Sequence, residues 1–130
     1  MVSEGGAAEM FANDRASEAL GITVDALSSG RATLSMTVTE LMVNGHGIAH
    51  GGFVFALADS AFAGACNYAG AVTVAASASI AFLSPARAGE RLVATAVERQ
   101  RTGRSGVYDV TVTCGERAVA EFRGLSRTLR

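Results

Sequence analysis

Apolar and polar positions alternate over residues 31–39 (RATLSMTVT). Ala32, Leu34, Met36 and Val38 fall on one side, and Arg31, Thr33, Ser35, Thr37 and Thr39 on the other. A period of two predicts a half-buried strand. Residues 72–83, 90–100, 107–114 and 117–129 also read as strands, separated by the turns SPARAG, RTGRSG and Gly115-Glu116. Lengths and short connections of this kind predict an antiparallel meander. Residues 7–20 (AAEMFANDRASEAL) predict one or two short helices that stop at Leu20-Gly21.

Between the first strand and the meander the pattern changes. NGHGIAHGG reads as loop, and FVFALADSAFAGACNYAG has no Pro, few β-branched residues and many alanines. It predicts a helix of about five turns from Gly52 to Tyr68, closed by Gly70. Phe53, Phe55, Leu57, Phe62 and Cys66 are spread around its circumference, and a helix apolar on all sides is expected to be buried on all sides. One sheet of about five strands curled round this helix accommodates every element, so the fold class is α+β. No repeat or linker divides the chain, and residues 1–130 form a single domain.

Composition narrows the function. Apolar residues make up 49% of the chain and charged ones 18%, which excludes a disordered chain. The net charge of −1 argues against a nucleic-acid partner held by a broad basic surface. Charge is nevertheless uneven, with net acid over residues 1–40 and nine arginines against five acids over residues 87–130. A small phosphorylated ligand would suit the cationic end. The chain has no lysine, so Schiff-base and P-loop chemistry are excluded. Cys66 and Cys114 lack metal-site spacing, and Cys66 is expected to be a buried free thiol. No metal site is expected. No leader-like or membrane-spanning stretch is seen, and a cytoplasmic protein with no membrane partner is expected.

From Leu41 to Ala86 the one side chain with a fixed charge is Asp59. A carboxylate in an apolar helix is costly unless paired, solvated or neutral. Either Asp59 lies on a wet face or bonds Ser60, or it is a general base or nucleophile. His50-Gly51-Gly52 stands at the helix start, where backbone N–H groups lack partners. Gly51 has no Cβ to block a ligand oxygen and is a candidate oxyanion donor; a tight turn explains the glycine pair equally. Asn44 could hold a substrate carbonyl or the Asp59 carboxylate of a second copy, or make a turn with Gly45, and His50 could donate to substrate or fix the loop. His46 reads as plain loop. Eight residues separate Gly51 from Asp59, about 12 Å along a helix, too far to serve one carbonyl. Two copies antiparallel across a two-fold axis would bring each Gly51 to the other chain's Asp59, which points to an obligate dimer with shared sites.

Asn44-x5-His50-Gly51-Gly52-x6-Ala58-Asp59, then Ala65-Cys66-Asn67, resembles the hotdog-fold thioesterases of the phenylacetic acid degradation (PaaI) type. The stretches FLSPARAGERL and VYDV…AEFRG resemble the same family, and together the similarity spans residues 10–128. The resemblance implies a hotdog fold, an antiparallel sheet wrapped round a long helix, in dimers that pair into homotetramers. It places the base or nucleophile on Asp59, the oxyanion N–H on Gly51, and orienting roles on Asn44 and His50. Acid and glycine would come from different subunits. The strand hydroxyl that positions water in some relatives would be Thr73, Ser77 or Ser79, with Ala75 a rival for that place. Arg87, Arg101 and Arg104 match the region that meets coenzyme A phosphates.

The expected activity is hydrolysis of an aryl-acetyl-CoA, or its ring-hydroxylated form, with no cofactor beyond the CoA of the substrate. A non-catalytic acyl-CoA sensor and a hotdog hydratase are the competing readings.

Overall fold

The computed structural model describes residues 6–129. Two short helices, α1 (Ala7–Ala12) and α2 (Arg15–Ala19), precede β1 (Thr23–Ser28) and β2 (Arg31–Thr37). After a 3-10 turn at Glu40–Met42 comes the long helix α3 (Gly51–Cys66). The chain closes with β3 (Thr73–Phe82), β4 (Arg91–Thr102), β5 (Ser105–Cys114) and β6 (Arg117–Thr128). All six strands form one antiparallel sheet in the order β1-β2-β4-β5-β6-β3.

The sheet holds six strands where about five were expected. The extra one, β1, has the sequence TVDALS with almost every residue exposed. Only Leu27 is half-buried, against the core, so β1 lacks the alternation that betrays a strand. α3 starts one residue earlier than expected and ends two residues sooner. Asn67 stops it: its Nδ2 donates to the carbonyls of Ala63 and Thr73, and its Oδ1 accepts from the Thr73 N–H. The side chain thus ties the helix end to the start of β3.

The concave side of the sheet meets α3 through the inward residues of each strand, among them Leu34, Met36, Leu92, Val110 and Phe122. Phe62 fills the middle, its ring 5.5 Å from that of Tyr108 and 5.7 Å from that of Phe122. Gly124 lies under this ring, so close that a Cβ there would be 2.8 Å from Phe62 Cζ.

The expectation that α3 is buried on all sides needs correction. Val54, Leu57, Ala58, Ala61 and Phe62 are buried, but Gly52, Ala56, Asp59 and Ala63 form a less covered stripe. That stripe recurs at intervals of three and four residues, the spacing of one helix face. Alanine and glycine at these positions kept the stripe from registering as polar.

The two sheet edges differ. β1 is short, bulged between Val24 and Ala26, and carries Asp25; such features protect an edge from unwanted pairing. β3 runs for ten residues, TVAASASIAF, with neither charge nor proline. Val72, Val74, Phe82 and Leu83 stand exposed along it.

Candidate active site

The loop before α3 is held by its backbone. Asn44 N–H donates to Ile48 O, Ala49 N–H to Ala86 O, and His50 N–H to Met42 O, each at 2.8 Å. Bridges pair Val43 with Ala49 and Ile48 with Arg87. His50 is the N-cap residue, extended at φ −57° and ψ 136°, and its side chain makes no capping bond. The Gly51 N–H, first of the helix, has no acceptor among the described residues. It therefore offers an oriented donor reinforced by the helix dipole.

Gly51 lines a cleft of about 480 Å³ together with Asn44, Ile48, Val54, Phe82 and Val119. Asn44 Oδ1 accepts from the His46 and Ile48 N–H groups, which is the local turn weighed above. Its Nδ2 donates to nothing among the described residues and remains free for a ligand oxygen. His50 is exposed and lies outside the residues that wall the cleft. Phe82, at the end of β3, packs its ring on the helix start: a Cβ on Gly51 would be 2.7 Å from Phe82 Cζ. Sequence reasoning passed over Phe82, because an aromatic residue near a strand end carries no local mark of a site.

Asp59 lies two turns further on, in a separate cavity of about 250 Å³ lined by Met10, Ser17, Leu20, Ser60 and Ala63. Its carboxylate has no hydrogen bond or ion pair among the described residues. Ser60 does not satisfy it: the Ser60 hydroxyl bonds that of Ser17 at 3.0 Å, and Ser17 Oγ donates to Asp14 Oδ2 at 2.7 Å. Burial raises the Asp59 pKa above the ordinary carboxylate value of 3.8, as desolvation disfavours the charged form. Within one chain the structure does not bring Asp59 and Gly51 into one cavity.

The other expected positions divide. Arg87 flanks the Gly51 cleft through its bridge to Ile48, and its guanidinium is unpaired among the described residues. Arg101 is the next-to-last residue of β4 and Arg104 sits in the following turn. A twelve-residue strand spans roughly 36–40 Å, so these two stand at the opposite end of the sheet from Arg87. One chain cannot gather all three on one phosphate group. Thr73 is buried with its hydroxyl donating to Ala71 O and in contact with Thr128 Oγ1. Ser77 and Ser79 pair with the exposed Leu125 and Arg123, placing them on the sheet face opposite α3. Neither Ser77 nor Ser79 reaches the helix side of its own chain, and the Thr73 hydroxyl is already bonded. Cys66 is buried, 6% exposed, and its thiol is pushed up to about 12, chiefly by that burial; it is not a nucleophile at neutral pH. Among the described residues no group of three or more His, Cys, Asp or Glu could hold a metal ion.

The geometry agrees with what known proteins share with this chain. The family model described as thioesterase superfamily matches residues 46–121, a span that contains His50, Gly51 and Asp59. The acyl-coenzyme A thioesterase PaaI of Escherichia coli K12 is 46% identical over 121 residues, 92% of this chain and 86% of that protein. A solved structure of the E. coli PaaI protein from the phenylacetic acid degradation operon superposes with a TM-score of 0.95 at 42% identity, covering 100% of this chain and 97% of that one. A mutant of the phenylacetic acid degradation protein PaaI from Thermus thermophilus gives a TM-score of 0.86 at 41% identity, covering 89% of this chain and 100% of that one. The unpartnered acid and the free helix-start N–H thus lie in a chain that belongs to the thioesterase superfamily, among its hotdog-fold acyl-CoA thioesterases of the PaaI type.

Proposed function

We propose that this enzyme hydrolyses phenylacetyl-CoA or its ring-hydroxylated form to the free acid and CoA, as a step of phenylacetate catabolism. The observation that carries the reading is a half-buried carboxylate without a partner among the described residues, on the same helix as a free N–H yet in a different cavity. Each is incomplete in one chain. A two-fold pair would complete both, with β3 edges joined and the α3 helices antiparallel. The long uncharged edge of β3 supports this, since such an edge otherwise templates aggregation.

In the shared site a water oxygen attacks the thioester carbonyl carbon while Asp59 of one subunit takes the water proton. The carbonyl π electrons move onto oxygen, which the Gly51 N–H of the other subunit stabilises. Collapse breaks the C–S bond, and the proton held by Asp59 passes to the departing sulfur. Asn44 Nδ2 orients the carbonyl and His50 assists from the loop. Arg87 meets a CoA phosphate beside the cleft, and Arg101 and Arg104 serve a phosphate only where another subunit brings their end of the sheet near. No cofactor enters this scheme. The apolar walls of the cleft, Ile48, Val54 and Phe82 among them, suit an aryl group. Pairing of dimers into a homotetramer and a cytoplasmic location complete the proposal. Among the described residues no helix is long and apolar enough to cross a membrane.

Subunit complementation tests the shared site. Gly51→Pro removes the N–H where proline is tolerated, at the first helical position, and Asp59→Asn removes the base. Each variant alone should be inactive. Co-refolded at equal amounts, half the dimers are mixed and each has one intact site, so about a quarter of wild-type turnover should return. Sedimentation of the mixture should give a multiple of the 13.3 kDa chain. No recovery of turnover from well-mixed dimers would refute sharing.

A further inference from the structure

We propose that Phe82 is the acyl-selectivity residue of the Gly51 cleft, an inference that rests on the thioesterase reading. Phe82 shares a strand face with Ile80, since side chains two apart along a strand point the same way. Ile80 is packed against the core, and Phe82 extends that row beyond it to the start of α3. Its sheet partner is the small Ala120, which leaves the ring unobstructed on that side. Gly51 leaves it unobstructed on the other: both Phe82 Cε atoms would be 3.2 Å from a Cβ there, and Cζ 2.7 Å. The tip of the ring therefore lies beside Gly51, the residue that presents the free N–H.

An acyl group whose carbonyl oxygen reaches that N–H must run along this ring. An aryl group gains from the contact, since aromatic pairs are worth a few-fold to about tenfold in binding. A long alkyl chain meets the same ring as an obstruction. Phe82 is suited to this role in a way its neighbours are not. Val54 and Val119 are buried in the core, so changing them would disturb the fold. Phe82 is 55% exposed in the single chain, and its removal enlarges the cleft while leaving the core intact.

The test compares wild type, Phe82→Ala and Phe82→Leu on acetyl-, hexanoyl-, decanoyl-, benzoyl- and phenylacetyl-CoA, reading kcat/KM for each, with thermal melts to show that both variants fold. The ratio of decanoyl to phenylacetyl turnover should rise at least about tenfold in Phe82→Ala, the scale on which apolar pocket contacts discriminate. Phe82→Leu should fall between, and it carries the test if the alanine variant is unstable. Profiles that superimpose on wild type, or a uniform rise in KM across the series, would overturn the assignment and leave the thioesterase reading standing. A wild-type protein inactive on every thioester would instead remove that reading, and this inference with it.

Discussion

Two glycines meet aromatic rings at nearly the same distance, and an added methyl group should do opposite things at each. A Cβ on Gly51 would stand 2.7 Å from Phe82 Cζ, and one on Gly124 would stand 2.8 Å from Phe62 Cζ. Carbon atoms rest about 3.5–4.0 Å apart, so either ring must retreat by about 1 Å. Phe82 is 55% exposed in the single chain, where its ring has room to swing outward. Gly51→Ala then incurs the low end of the roughly 1–3 kcal/mol overpacking range, offset by up to about 1 kcal/mol of helix propensity. Its net cost is about 1 kcal/mol or less. Phe62 is 1% exposed and wedged between Tyr108 and Phe122. Gly124→Ala therefore incurs the top of that range, about 3 kcal/mol, less the 0.5–1 kcal/mol or so that alanine recovers in a strand. Its net cost is about 2 kcal/mol. At about 4 °C per kcal/mol for a domain of this size, the melting temperature should fall about 8 °C for Gly124→Ala and about 4 °C or less for Gly51→Ala. Activity should rank the other way. Gly51→Ala places a methyl group and a displaced ring beside the oxyanion donor and should lose roughly tenfold or more in kcat, within the 10²–10³ limit for loss of a donor. Gly124→Ala should keep its kcat well below its melt. Calorimetry and a thiol-release assay measure both. Equal melting losses, or full turnover in Gly51→Ala, would refute the assignment of these glycines.

Asp59→Asn should lower turnover by about 10²–10⁴-fold, the usual contribution of a positioned base. It should also change the pH dependence of stability. With its folded pKa raised above 3.8, the wild-type acid keeps its proton in the folded state after the unfolded chain has released it. Its contribution is full below 3.8 and lost as pH rises through the folded value. Urea midpoints should thus favour the asparagine variant more at pH 7 than at pH 3, and a difference independent of pH would contradict the burial argument. Cys66, with its thiol pushed up to about 12, should resist thiol reagents at pH 8 until the protein is unfolded in urea. Rapid native labelling of Cys66, located by peptide mapping, would show that its pocket opens.

Much of the fold was legible because it is written in local periods. The alternation at residues 31–39 and the small apolar residues after Gly52 matched β2 and α3 to within a few residues. The unusual status of Asp59 was equally plain, since a single charge in a long neutral stretch has no oppositely charged neighbour along the chain to pair with. β1 was not legible, because an edge strand with a single half-buried residue, Leu27, carries no alternation. The strand hydroxyls were hard to place for a related reason. Which face Ser77 and Ser79 take depends on the bulge between Ala75 and Ser77, and one inserted residue turns every later side chain over.

By itself, the sequence determined the types of the elements other than β1, the lone acid, the glycine at the helix start and the distance between them along α3. These depend on neighbours in the chain, where spacing translates directly into geometry. Only the tertiary structure decided that Arg87 stands far from Arg101 and Arg104, that the Thr73 hydroxyl is already bonded, and that Phe82 rests on Gly51. Each of those facts follows from strand register and from packing between residues distant in sequence, which no local pattern encodes.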